Sequence, residues 1–386
     1  MNILFLIGKY PSYGGTEKVT TILANRFIQI DYDVHIASFE QPVLELQSEL
    51  NAGIQLHKLS YPVKSKSNIK FLRNILLQYK IDIIINQWCL PFYVTQLCNK
   101  ARTGTNCKLI AVHHNSPDSN AKIEHIKMKL TQKSILKRFY LNLILDIIKY
   151  ITSKSIRYVY NHSDKYILLS NSFVEIFKQL TNIKKTDKLA VITNPVTLVD
   201  TNYLYLPEKK NKEIIYVGRI DYNQKKVYRI IELWKQIEDN HKDWVLTFVG
   251  DGPQKKDIEK LIEVLNLKRV QITGFQNPLE YYIRSSVLIL TSEYEGFPLV
   301  IAEAMIHGTI PVIYGSYSSV YDIIDNGKNG FITNRPYSQE ETVNCLKTLM
   351  ENQEMRKEMA QNAIVSSKNF SLELIVFQWE MLFKTL

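Results

Sequence analysis

Thr291-Ser-Glu-Tyr-Glu-Gly-Phe-Pro-Leu-Val-Ile-Ala-Glu-Ala-Met-Ile-His-Gly-Thr-Ile-Pro-Val-Ile313 is the stretch on which the reading of this chain turns. The apolar run Val287–Leu290 just before it has the length and β-branched content of a buried strand, and it ends at Thr291. Gly296-Phe-Pro reads as a tight loop, and the residues from about Leu299 to His307 read as a helix. Ile310–Ile313 is a second strand-like run. Strand, loop, helix and strand in that order predict a parallel crossover unit. Gly296 allows close approach of another molecule to the backbone, and the free N–H groups at a helix start favour anions and hydroxyl oxygens. In open α/β sheets ligands gather at the carboxyl ends of strands, where this loop falls. Glu295 lies in the loop and Glu303 about one turn into the helix, so the two carboxylates can accept hydrogen bonds from two sets of hydroxyl groups.

The same alternation extends through the chain. Ile3–Ile7, Val34–Ala37, Ile81–Ile85, Leu109–Val112 and Ala190–Ile192 read as strands in the first half, with a helix from about Thr16 to Ile28 after the first. Ile214–Val217, Val245–Val249, Val270–Ile272, Val287–Leu290 and Ile310–Ile313 repeat the pattern in the second half. The fold class expected is α/β, with two doubly wound, Rossmann-like units. A chain of 386 residues accommodates two such domains. Their boundary falls near 195–210, where Asn194-Pro195 favours a turn and Leu206–Lys212 is polar and linker-like. The division expected is 1–200 and 201–369.

Composition narrows the classes. Hydrophobic residues are 45% and charged residues 22%, which excludes intrinsic disorder. Cys89, Cys98, Cys107 and Cys345 form no C-x-x-C pair, so neither a zinc site nor a disulfide framework is indicated. The apolar start of the sequence is too short for a signal-peptide core, and no stretch approaches the roughly 20 residues that span a bilayer. A cytoplasmic location is expected, peripheral to the inner face of the cell membrane. The net charge of +10 is uneven: positions 1–200 hold 26 basic and 14 acidic residues, a net of +12. Within them, 122–157 hold nine basic residues against Glu124 and Asp146, a net of +7, interleaved with Ile126, Leu130, Ile135, Phe139, Leu143 and Ile147. That mixture fits one or two amphipathic helices, suited to an anionic lipid surface. No nucleic-acid module is present, so a basic nucleic-acid binder is the weaker alternative.

Four further elements carry chemistry. Tyr216-Val-Gly-Arg runs from a strand into Gly218 and Arg219, with Lys225 and Lys226 beyond, and fixed cations there can stabilise a phosphate leaving group. Gly14-Gly15 precedes the first helix without the order of a Walker motif. His113 and His114 close the Leu109–Val112 strand. Asp31-Tyr-Asp33 has the spacing of a metal-binding D-x-D, but sits at a helix–strand junction away from the strand ends that bind ligand. No metal site is expected.

Taken together, E-x7-E with Glu-Gly-Phe, the later Gly-x-x-Pro-Val-Ile and the Val-Gly-Arg…Lys element resemble the family-4 retaining glycosyltransferases of the GT-B fold. The resemblance covers nearly the whole chain and is strongest in its second half. It implies transfer of a sugar from a nucleotide-sugar donor to a glycan or lipid-linked acceptor, without cofactor or metal, in the setting of bacterial capsule, lipopolysaccharide or other surface polysaccharide. By the same resemblance Glu295 contacts the transferred sugar and Glu303 the ribose. The backbone of Gly296, Phe297, Pro298 and Leu299 faces the sugar and diphosphate, with Gly218 beside it. Arg219 and Lys225 meet the diphosphate, although the loop is one residue longer than the family pattern and Lys226 replaces its usual Gly, which leaves Lys225 and Lys226 both open. Gly14 and Gly15 close over the phosphates, and His114 or His113 lies near the donor sugar. The helix starting near Phe370 is implied to return to the first domain. The alternatives within the fold are a nucleotide-sugar epimerase and a phosphorylase.

Overall fold

The computed structural model describes residues 1–130, 135–199 and 203–386. The chain forms two units: Met1–Thr197 with Leu372–Leu386, and Leu198–Ser371.

The first unit is built on a seven-stranded parallel sheet. Its strands are β1 (Asn2–Lys9), β2 (Asp33–Glu40), β3 (Gln55–Lys58), β4 (Ile83–Asn86), β5 (Lys108–His113), β6 (Lys165–Leu168) and β7 (Leu189–Val191), in the order β3-β2-β1-β4-β5-β6-β7. Ile3, Leu4, Phe5 and Leu6 are all fully buried, as expected of a central strand covered on both faces. Leu4 and Leu6 face a cluster with Leu72, Ile75, Leu97 and Cys98, from helices Lys66–Gln78 and Tyr93–Arg102. Phe5 points the other way and stacks on Phe27 of helix Gly15–Gln29, with ring centroids 6.1 Å apart. Phe27 in turn meets Phe383, at 5.7 Å, from helix Leu372–Phe383. Tyr32 adds a hydrogen bond to Glu380, 3.1 Å. The final helix therefore completes the first unit, as the family resemblance implies.

The second unit has a six-stranded parallel sheet. Its strands are β8 (Asn211–Val217), β9 (Val245–Val249), β10 (Val270–Ile272), β11 (Ser285–Leu290), β12 (Ile310–Tyr314) and β13 (Phe331–Thr333), in the order β10-β9-β8-β11-β12-β13. β8 and β11 are locked at their starts by Glu213, which is 2% exposed. Its carboxylate accepts from Thr247 Oγ1 at 2.6 Å, Ser285 Oγ at 2.9 Å and both Arg284 Nε and Nη2 at 3.0 and 2.9 Å. A buried charge is tolerable when so fully paired.

Three strands escape the sequence pattern: β3, β6 and β13. β3 and β13 are edge strands paired on one side only. β3 is polar (Gln-Leu-His-Lys) and β13 has only three residues, so neither shows a buried-strand run. β6 follows directly on the long helix Ile135–Asn161, and its Lys-Tyr-Ile-Leu is hidden by that helix's own apolar residues. Residues 122–157 form two helices, Ala121–Leu130 and Ile135–Asn161. Lys133 and the side chain of Ile135, both part of the expected basic segment, lie outside the described residues, as do 200–202 at the expected domain boundary.

Candidate active site

In each sheet the strand order reverses beside the first strand, at β1/β4 and at β8/β11. There the connections diverge to opposite faces, leaving a crevice at the carboxyl edge. In the second unit this edge receives the loops after β8 and β11. The registers Val287↔Ile214 and Leu288↔Ile215 bring those strand ends side by side.

The loop after β8 begins at Gly218, whose φ of 147° lies in a region that L side chains rarely adopt. The Val249-Gly-Asp-Gly-Pro turn braces it from the next strand: Gly218 N donates to Val249 O at 3.1 Å and Ile220 N to Asp251 O at 2.9 Å. A Cβ on Gly250 would lie 1.9 Å from the Gly218 carbonyl oxygen, so that turn requires glycine. Arg219 extends from the loop with its side chain 58% exposed, 3.4 Å from Asp221.

Lys225 reaches the β11 loop. Its Nζ is 2.5 Å from Glu295 Oε1, with both side chains largely buried. Gln224 joins the two loops. Its Nε2 donates to Tyr294 O at 3.1 Å and Glu295 Oε2 at 3.3 Å, and its Oε1 accepts from Arg219 Nη2 at 3.3 Å. Its carbonyl accepts from Glu293 N at 2.8 Å, and its N–H donates to Asp221 Oδ1 at 2.6 Å. Thr291 Oγ1 adds bonds to the carbonyls of Lys225 and Lys226, 3.1 and 3.2 Å. Lys226 has φ of 51°, the left-handed conformation that explains why glycine suits this position. Burial pushes its ammonium pKa down. Of the two lysines, Lys225 is the one brought to Glu295.

Glu303 is 3% exposed, in helix Leu299–Ile306, and accepts from Tyr282 OH at 3.0 Å. Burial, then the nearby Glu303 carboxylate, drives the Tyr282 hydroxyl pKa well up, so it stays a donor. Phe297 packs on Phe370 at 5.5 Å, fixing the loop. Gly296 O accepts from Ser319 Oγ at 2.6 Å. Pro298 is the N-cap and provides no side-chain cap, so the amides of the first turn, beginning at Leu299, have no capping side chain.

Several neighbours carry no motif. Arg229 lies over Tyr337 (4.1 Å) and Tyr314 (5.4 Å) and pairs with Glu293 at 2.6 Å. The loop after β12 is bonded to the β11 loop through Ser316 Oγ and Ser292 O. Ser292 Oγ, Tyr317 OH and Ser318 Oγ are buried with no hydrogen-bond partner among the described residues. Such groups are costly to leave unmatched and mark a place for a polar ligand. The one signal in the sequence is Gly315-Ser-Tyr-Ser-Ser319 directly after a strand.

In the first unit, Gly14 and Gly15 are exposed at the start of helix Gly15–Gln29. The Glu17 carboxylate folds back over Gly14, and burial raises its pKa. His113, at the end of β5, is buried and bonded through Nδ1 to Tyr166 OH at 2.8 Å. His114 is less buried and its Nε2 meets Gln87 Oε1, just past β4, at 2.6 Å. Burial lowers the His113 pKa to about 4, and burial with the neighbouring His113 lowers that of His114 to about 3, so both rings are neutral at pH 7. Asp31 and Asp33 lie at the amino end of β2, away from this edge. Among the described residues, no group of three or more His, Cys, Asp or Glu is placed to hold a metal ion.

Comparison with known proteins agrees with this architecture. Residues 13–199 match the family model described as Glycosyltransferase Family 4, and residues 205–365 match that described as Glycosyl transferases group 1. An uncharacterized glycosyltransferase of Haemophilus influenzae is 26% identical over 97% of this chain and 98% of its own. The amylovoran biosynthesis glycosyltransferase AmsD of Erwinia amylovora is 23% identical over 98% of each. A Campylobacter jejuni α-1,4-N-acetyl-D-galactosaminyltransferase, whose acceptor is an undecaprenol-linked saccharide, is 22% identical over 98% of this chain and 97% of its own. Among solved structures, HepE of Anabaena in complex with UDP superposes with a TM-score of 0.76 over 100% of both chains at 19% identity. TarM of S. aureus does so at 0.73 over 99% of both chains and 15% identity. The chain is thus a GT-B glycosyltransferase of family 4, group 1, related to enzymes of polysaccharide biosynthesis.

Proposed function

We propose that this protein moves a sugar from a nucleotide-sugar donor to a glycan or lipid-linked saccharide, with retention of anomeric configuration and without a metal, in bacterial surface polysaccharide synthesis. The observation that carries the reading is the joining of Arg219, Gln224, Lys225 and Glu295 at the carboxyl edge of β8 and β11. One side-chain amide holds Arg219 and Glu295 there, and Glu295 in turn holds Lys225, beside a helix start and three unmatched buried hydroxyls. HepE in complex with UDP-glucose supports a nucleotide-sugar donor, and the named acceptor of the Campylobacter relative supports a lipid-linked one.

In this reading Glu295 receives hydroxyls of the transferred sugar and Glu303 those of the ribose. Arg219 and Lys225 face the diphosphate, whose charge grows as the bond from the anomeric carbon to phosphate oxygen breaks. The backbone from Gly218 and from Gly296 to Leu299 lines the same site. The acceptor oxygen bonds to the anomeric carbon from the face the phosphate leaves, and its proton passes to the departing phosphate oxygen. Rate then comes from positioning and electrostatics rather than from a side-chain nucleophile. Gly14 and Gly15 of the first unit are assigned to the donor phosphates and His114 to the donor sugar, as the family resemblance implies. Neutral His114 can donate or accept one hydrogen bond but adds no charge.

A thermal-shift screen against UDP-, GDP- and dTDP-sugars tests donor binding, because a ligand of the folded state alone raises its stability. The donor found is then incubated with and without saccharide acceptors, with EDTA, and the product linkage is assigned by NMR. Transfer with retained configuration in EDTA is expected. An inverted linkage, metal dependence, or acceptor-free conversion of the donor to an epimer would overturn the corresponding part.

A further inference from the structure

Helix Ile135–Asn161 has two apolar faces. One is filled: Leu141, Ile144, Leu145 and Ile148 join Ile123 and Ile126 of the preceding helix in a closed cluster. The other carries Phe139, Tyr140, Leu143, Ile147, Tyr150 and Ile151, each between 50% and 76% exposed. At 100° per residue these six fall within about 120° of the helix surface, a stripe about 18 Å long. An exposed apolar stripe of that size on a folded chain is a contact surface.

The charge around the stripe names its partner. Lys137 stands at its amino end, about 40° beyond its edge. Lys154 and Arg157 continue the same arc at its carboxyl end, Lys154 lying 4.9 Å over the Tyr150 ring. The helix bears five basic residues and one acidic, Asp146. Apolar and aromatic side chains bracketed by cations match the boundary of a bilayer, where headgroup phosphates lie above acyl chains. No helix among the described residues is long and apolar enough to cross a membrane, so the fit is to lying on one.

We propose that this face of helix Ile135–Asn161 docks the protein on an anionic lipid bilayer. The stripe inserts into the headgroup boundary, and Lys137, Lys154 and Arg157 pair with lipid phosphates. The inference goes beyond glycosyl transfer and uses none of the residues assigned to the donor.

The test is co-sedimentation of the full chain with phosphatidylcholine vesicles and with vesicles containing 30% phosphatidylglycerol. Binding to the anionic vesicles only, weakening with salt, is expected. Phe139→Ser/Ile147→Ser/Ile151→Ser should lower the partition coefficient at least tenfold. Lys154→Gln/Arg157→Gln should lower it about fivefold per charge on anionic vesicles. If the triple variant misfolds, Ile147→Trp serves instead, since quenching by bromolipid above that of the parent reports insertion. Equal binding to both vesicles, none to either, or no quenching overturns the proposal. So does a parent that is dimeric where the triple variant is monomeric, because the stripe then covers a second copy. The nucleotide-sugar thermal shift without vesicles is expected unchanged in these variants, which separates failure here from failure of the donor assignment.

Discussion

Gln224→Ala tests how the two loops of the second unit are held. The substitution removes three side-chain hydrogen bonds: to Tyr294 O at 3.1 Å, to Glu295 Oε2 at 3.3 Å and from Arg219 at 3.3 Å. Each contributes about 1 kcal/mol at most, given their length, and the two involving charged groups keep the sum near 2 kcal/mol. The main-chain bonds of residue 224 to Glu293 and Asp221 survive, as does the Lys225–Glu295 pair. The lost energy therefore falls on side-chain placement more than on the fold. A deficit of about 2 kcal/mol in the transition state is about 30-fold in kcat/KM. The thermal midpoint should move by only about 2–4 °C, corresponding to about 1 kcal/mol. The assay is release of nucleoside diphosphate from the donor that the binding screen identifies, at varied donor and at varied acceptor. Loss in kcat and donor KM with unchanged acceptor KM is expected. Gln224→Glu should be worse than alanine, because it sets a second carboxylate beside Glu295. A kcat/KM within threefold of the parent, or a loss confined to acceptor KM, would refute the argument that Gln224 acts by placing Arg219 and Glu295.

Other perturbations give distinct outcomes. Lys226→Gly relieves a left-handed residue worth about 1 kcal/mol and should keep or raise the thermal midpoint while transfer persists; loss of transfer would make Lys226 the phosphate cation in place of Lys225. Phe383→Ala removes the ring that meets Phe27, Tyr32 and Trp379 and should cost about 3 kcal/mol by denaturant titration, with an unchanged midpoint contradicting the packing. His57 and His113 titrate at about 4 in the folded protein and His114 at about 3, all below the usual 6.5. The unfolded chain thus binds more protons between pH 6.5 and 4, so stability is full above that window and declines as pH falls through it. His57→Gln should flatten the decline in thermal midpoint from pH 7 to 5; an unchanged slope would show that the ring packed against His35 and Tyr79 does not carry it.

Much of the fold was legible because parallel central strands are continuous apolar runs: Ile3–Ile7, Val245–Val249 and Val287–Leu290 lie wholly inside observed strands. Two of the four edge strands, β3 and β13, were not, since a strand paired on one side needs no such run. The site divides the same way. Glu295, Lys225 and Arg219 stand out by motif, and the structure joins Lys225 to Glu295 across 70 positions. Gln224, Tyr282, Arg229 and Tyr317 are ordinary in sequence and gain meaning only from what they touch. Glu213, buried and bonded to three residues, reads as one more surface charge until β8 and β11 are paired.

The return of helix Leu372–Phe383 to the first unit has a consequence for synthesis. Phe27 and Tyr32, which it covers, are made early, but their partners Phe383 and Glu380 emerge only after residues 198–371. At roughly 5–20 residues per second, the ribosome leaves that seam open for about 10–35 s while the second unit is translated. During this interval the nascent first unit exposes an aromatic groove of the kind that holding chaperones bind, and the seam closes only once the intervening domain has been made.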